Sequence, residues 1–202
     1  MIKDLKEISE EEMLKNWALA EATSTRRWKY LGKILSPEIL GKVKNGPYEF
    51  SEKEWQELLA MIRQFRSPLL DELIPLNLSW YEGKLPMSEL GKLEMINHAP
   101  FVNLAGSKKL IDLAHAFEKG EMPPNHPEFA ENLEQLKVGF SLDKMAGKPI
   151  LVSLTKQPPY ELVEGFTRIS AVLINSLNGK SFEGEMPVIL GVGKQVSSWK
   201  WF

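Results

Sequence analysis

The stretch KPILVSLTKQPPYELVEGFTRISAVLINSLNGKSFEGEMPVILGV, residues 148–192, decides the fold class. Its first eight residues are a short, nearly continuous apolar run, as a strand covered on both faces requires. Gln157-Pro-Pro-Tyr160 is a turn, since proline cannot donate to a sheet ladder. Glu161–Glu164 reads as a second short strand. Thr167–Leu177 carries Ile169, Ala171, Val172, Ile174 and Leu177 at helical spacing and stops at Asn178-Gly179. Glu185–Val192 is a third strand. Strand, strand, helix, strand predicts a small mixed sheet with helices, an α/β (α+β) unit.

Working outward, the first third is helical in pattern. Ser9 with Glu12, and Ser51 with Glu54, have the spacing of capping boxes, in which serine and glutamate satisfy each other's end of the helix. Ser36-Pro37-Glu38 opens another helix, closed by Asn45-Gly46. The helix after Ser51 carries Trp55, Leu58, Leu59, Ile62 and Phe65 on one face and is expected to end before Pro68. In the middle, Leu76–Tyr81 alternates like a strand, and Gly83 and Pro86 are expected to break it. Ser107 is expected to cap a helix through Leu110, Leu113, Ala114 and Phe117, and His126–Val138 to form another. The expected division is a helical region over residues 1–75 and an α/β domain over 76–202.

The chain has 202 residues, 43% of them hydrophobic and 26% charged, with a formal net charge of −2 and no cysteine. Disulfides, thiolate catalysis and cysteine-bound zinc are therefore excluded. The charge gives no global attraction to nucleic acid, so any such binding rests on a local patch. The charged opening MIKDLKEISEEEMLK lacks the apolar centre of a signal peptide, and no apolar run is long enough to span a bilayer. The expectation is a cytoplasmic protein with no membrane partner.

The junction Glu164-Gly-Phe-Thr-Arg168 raises a chemical question. A helix N-terminus exposes amides with no partner inside the helix, and the peptide dipoles add positive potential there. Together they form a site for phosphate or carboxylate. Gly165 lets the chain turn tightly, and Thr167 can cap the helix or donate its hydroxyl to a ligand. Arg168 in the first turn opposes the helix dipole. An anion seated between them resolves that conflict, and so does an acid of the same chain. Glu164 is that acid, and can otherwise serve as a base or metal ligand.

VEGFTRISAVL followed by GEMPVILG resembles the ParB/sulfiredoxin-like superfamily, on Glu164, Gly165, Arg168, Ala171 and Pro187-Val-Ile-Leu190. The likeness spans residues 148–196. It implies a nucleotide or other phosphorylated ligand at the Gly-x-x-Arg turn, with Mg²⁺ as the ion accompanying a nucleotide. It implies catalytic roles for Glu164 and Arg168 and ligand-binding roles for Gly165 and Arg168, while Thr167 is a ligand contact on the helix-terminus reading. If the chain is an enzyme, phosphoryl transfer or phosphodiester cleavage is the implied class; a non-enzymatic regulatory protein on the same fold is the alternative. Thr167 stands where these families carry a basic residue or histidine, and Phe166 where sulfiredoxins have their cysteine. The kinase-like members' histidine is absent. The resemblance implies the nucleotide-binding shape without those chemistries.

Three further features complete the reading. His98, His115 and His126 lie in separate segments with no helical pairing, so no metal site is expected on them. Lys194, after the last strand, is an expected additional phosphate contact. STRRWKYLGK, residues 24–33, interleaves Arg26, Arg27 and Lys29 with Trp28 and Tyr30. That pattern suits either a nucleic-acid strand or an amphipathic helix whose aromatic face is core, and the core reading is the expectation. Trp199, Trp201 and Phe202 are expected to pack on the core or to form a protein partner's contact.

Overall fold

The computed structural model describes residues 1–24, 27–123, 127–139, 141 and 145–202, without the side chains of Lys29, Pro127, Glu128, Phe129 and Asn132. Six strands form one mixed sheet: β1 (Lys3–Ile8), β2 (Ser79–Pro86), β3 (Glu94–Met95), β4 (Ile150–Ser153), β5 (Glu161–Glu164) and β6 (Glu185–Val192). Their order across the sheet is β1-β2-β6-β4-β5-β3. β4 runs parallel to β6 and antiparallel to β5. The α+β class and the run of strand, strand, helix, strand in the last quarter are as expected.

Helices cover both faces. α1 (Glu10–Thr23), α3 (Pro37–Asn45) and α4 (Glu52–Leu73) share one core with Trp80, Ile150, Val152, Val163 and Ile189. α5 (Ala99–Ala105), α6 (Leu110–Glu118) and α8 (Phe166–Leu177) share another with Leu151, Leu162, Val188 and Leu190. Successive strand residues thus feed opposite cores, because side chains alternate across a sheet. That is why all four residues of β4 are buried and why its sequence reads as a nearly continuous apolar run. α2 (Trp28–Leu31) is a single turn after α1, and α7 (Pro127–Gly139) packs beside α8.

Four expectations need correction. The N-terminus is not wholly helical: β1 pairs along β2 at the sheet edge. Its positive-φ residue Asp4 and the register shift between Lys3 and Lys6 interrupt the alternation, so Ile2, Leu5 and Ile8 repeat every three residues and mimic a helix. Secondly, β2 is not broken at Gly83. A Cβ there would lie 2.6 Å from the Ile2 side chain, so the glycine admits β1 rather than ending β2. Thirdly, α4 passes through Pro68 to bury Leu70 and Leu73. Fourthly, Lys109, not Ser107, is the cap of α6; Ser107 accepts from the Lys109 amide and donates to Asp112. Both capping boxes form as read. The expected boundary between residues 75 and 76 falls between α4 and β2, but β1 and the first core cross it.

Candidate functional site

The β5–α8 turn is built against two glycines. Gly165 is the N-cap of α8, with φ +105°, a conformation that L side chains rarely adopt. A Cβ on it would also stand 3.0 Å from the Pro149 Cβ. On the other side of the 147–149 segment, a Cβ on Gly147 would stand 2.6 Å from that of Ala20 in α1. Asn16 fixes this segment to α1: its Nδ2 donates to the Lys148 carbonyl at 2.9 Å and its Oδ1 accepts from the Lys148 amide at 2.8 Å. α1, the 147–149 segment and the mouth of α8 are therefore stacked in contact.

Charges gather at this stack. Arg168 donates from Nη1 to the Gly147 carbonyl and from Nη2 to Glu164 Oε2. Their side chains are largely buried, 15% exposed for Arg168 and 11% for Glu164. Glu21, on the buried stripe of α1 with Met13, Trp17 and Ala18, has a side chain of zero exposure. Its carboxylate accepts from both Nε (2.7 Å) and Nη2 of Arg66 in α4, and from Arg27 Nε at 3.3 Å. Arg27 also lies over the Phe65 ring at 4.7 Å. Burial opposes the charge on Arg66. Glu21 outweighs it, with Glu164 adding in the same direction, so the guanidinium pKa is raised. Among the described residues, Arg66, Arg168, Glu21 and Glu164 thus meet between α1, α4 and the first turn of α8, with Arg27 joining on Glu21.

This arrangement brings together Glu164, Gly165 and Arg168, and corrects the roles read for their neighbours. Thr167 is not the cap; Gly165 is, and no side chain caps the helix. Thr167 sits in the first turn, 7% exposed. Lys194 is not near the turn. Glu164 aligns with Ile150 of β4, whereas Val192 aligns with Ser153 at the other end. At about 3.3 Å per residue, Val192 lies roughly 10 Å further along the sheet, and Lys194 opens the turn beyond it. Glu164 is engaged with Arg168, which withdraws it from service as base or metal ligand in this conformation. Among the described residues no three acids or histidines form a metal-binding group.

In the basic stretch, Arg27 points inward to Glu21, while Arg26 and the Lys29 side chain lie outside what is described. Trp28 and Tyr30 are not core: they are 37% and 46% exposed, and Leu31 takes the buried position. At the C-terminus Trp199 is buried, and Trp201 and Phe202 pack against the first core. Trp201 donates from Nε1 to Glu72 and accepts from the Asn97 amide. His98 stacks on its ring; His126 lies outside the described residues.

Glu21, Arg66 and Gly147 were not singled out from sequence. The available signal was a charge in an apolar stripe: Glu21 is four residues after Trp17, and Arg66 four after Ile62. Among the described residues no helix is long and apolar enough to cross a membrane. Compared with protein families, curated proteins and solved structures, the chain matches none.

Proposed function

We propose that this is a ligand-binding protein of the ParB/sulfiredoxin-like kind, acting in the cytoplasm, which holds a nucleotide or another phosphorylated small molecule at the mouth of α8. One observation carries the reading: among the described residues, Arg168 and Arg66 stand with Glu164 and Glu21 beside a helix N-terminus that no side chain caps, and Arg27 adds a third guanidinium on Glu21. A phosphate seated at the first turn would take up both its amides and the arginine charge. Arg168 spends two of its five N–H groups on Glu164 and Gly147, so it retains donors for phosphate oxygens.

The role is binding rather than catalysis. Both carboxylates at the turn are taken by arginines, which leaves neither a base nor a set of chain ligands for Mg²⁺. Mg²⁺ therefore enters, if at all, on the phosphates of the nucleotide itself. The test is thermal unfolding with each of the common nucleoside triphosphates, with and without Mg²⁺. The expected outcome is a raised Tm in the wild type and none in Arg168→Ala, because a ligand that prefers the folded state stabilises it. Absence of a shift in the wild type with every nucleotide and with inorganic pyrophosphate overturns the reading.

A further inference from the structure

Residues 193–202 run diagonally across one face of the sheet. Leaving β6, the Gly193 amide donates to the carbonyl of Ser153, the last residue of β4, at 3.2 Å. A 3₁₀ turn over Lys194–Ser198 follows, and Val196 and Trp199 enter the first core. Further on, the Trp201 carbonyl accepts from the amide of Asn97, just past the end of β3. With the strands ordered β6-β4-β5-β3, the path from Ser153 to Asn97 passes over β5. It does so on the face of the first core, which also holds Val152 of β4 and Val163 of β5.

Glu161 lies beneath that path. It stands directly opposite Val152 in the β4–β5 ladder, so the two side chains share a face. Lys108 donates to Glu161 Oε1, and its Nζ stands 5.4 Å from the ring centre of Phe202. One ammonium thus holds both the acid and the segment above it. Glu161 Oε2 is buried without a hydrogen bond among the described residues, and so is Nε1 of Trp199. Glu94, the register partner of Glu161 on β3, adds a like charge, and Lys109 lies across a β-bridge from Glu94. Along the same segment, Glu72 of α4 is taken by Lys200 and by Trp201 Nε1, and His98 stacks on the Trp201 ring.

We propose that residues 193–202 form a pH-sensitive strap, closed over Glu161 while that carboxyl is protonated and lifted from the β3 end when it ionises. A neutral carboxyl tolerates a sealed, half-bonded site far better than a carboxylate does. Lifting the strap admits water to Glu161 Oε2 and to the Trp199 indole, the two polar atoms left without partners beneath it. The direction of the response follows from the surroundings. Burial, outweighing Lys108, raises the acid, so the closed form keeps its proton at a pH where the open form has lost it. Opening therefore grows as the pH rises. The strap needs no ligand at the α8 mouth.

The experiment is amide hydrogen exchange of the full chain by NMR, with each rate divided by its intrinsic rate at the same pH. The Asn97 amide, bonded to the Trp201 carbonyl, reports the strap, and the Ile189 amide, bonded to the Pro149 carbonyl, reports the sheet. From pH 4.5, the ordinary value for a glutamate, to about pH 8, protection at Asn97 is expected to fall about tenfold. At every pH it is expected to lie at least about tenfold below protection at Ile189, as opening short of whole unfolding requires. Glu161→Gln is expected to abolish the pH dependence. Lys108→Met, which removes the cation favouring the carboxylate, is expected to deepen the fall. Lys108 is partly exposed, so this variant is informative even if Glu161→Gln proves unstable. Protection at Asn97 that does not change with pH overturns the proposal, and so does protection equal to that of Ile189. A fall that persists in Glu161→Gln assigns the response to another group, His98 included, and overturns it as well. A fall no deeper in Lys108→Met does the same.

Discussion

Glu21 holds two arginines on one buried carboxylate. A carboxylate with zero exposure survives only when its hydrogen bonds are filled, and Arg66 and Arg27 fill them. Glu21→Ala leaves those guanidiniums without their acid. It is expected to lower unfolding stability by about 3 kcal/mol or more, read from urea denaturation. Two other carboxylates respond to pH with opposite signs. The Lys42 ammonium, with the Ser51 amide and hydroxyl, holds Glu54 down at about 2. A lowered acid stabilises above its unfolded value and loses that contribution as the pH falls through the folded one. The loss is therefore expected between about pH 4.5 and 2, and absent in Glu54→Gln. Burial raises Glu161 against the pull of Lys108, and Glu161 Oε2 has no hydrogen-bond partner among the described residues. Its contribution has the reverse sign: stability falls as pH rises from the ordinary carboxylate value through the raised one, and the folded–unfolded proton difference measured by titration reports it.

At the scale of elements, legibility in the sequence followed how completely local pattern expressed local structure. The two capping boxes, β4, β5, α8 and β6 were readable because each carries its own periodicity or cap. β1 was not, since a bulge displaces its alternation and its partner is 72 residues away at the nearest ladder position, so only the pairing with β2 defines it. Gly83 and Pro68 were read as breakers because their meaning depends on neighbours: on Ile2 packing over the glycine, and on Leu70 and Leu73 holding the helix past the proline. The candidate site was half legible. Glu164, Gly165 and Arg168 lie in one short motif, whereas Glu21 and Arg66 reach it from other helices. Gly83→Val is expected to push β1 off the edge, because the new Cβ meets Ile2 at 2.6 Å. Hydrogen exchange of residues 3–8 should then accelerate well before that of β6. If the two respond alike, β1 is not an independently detachable edge.

At the scale of the whole molecule, the helices of the first third and the sheet of the last quarter are joined twice. They share a core, and they share the charge cluster, to which α1, α4 and the α8 mouth each contribute. Unfolding is accordingly expected as one transition, with the fluorescence of the tryptophans and far-UV dichroism coinciding. The cluster also defines the central functional claim. If the arginine charge at the helix mouth receives a phosphate, then Glu164 competes with that phosphate for Arg168, and weakening the acid must favour the ligand. The direct measurement is calorimetric titration of the wild type and Glu164→Gln with nucleoside triphosphates and pyrophosphate. Binding is expected in both, with an affinity about tenfold higher in the variant, roughly 1.4 kcal/mol. Heat of binding absent from both folded proteins, or affinity lost on removing the acid, would contradict the claim.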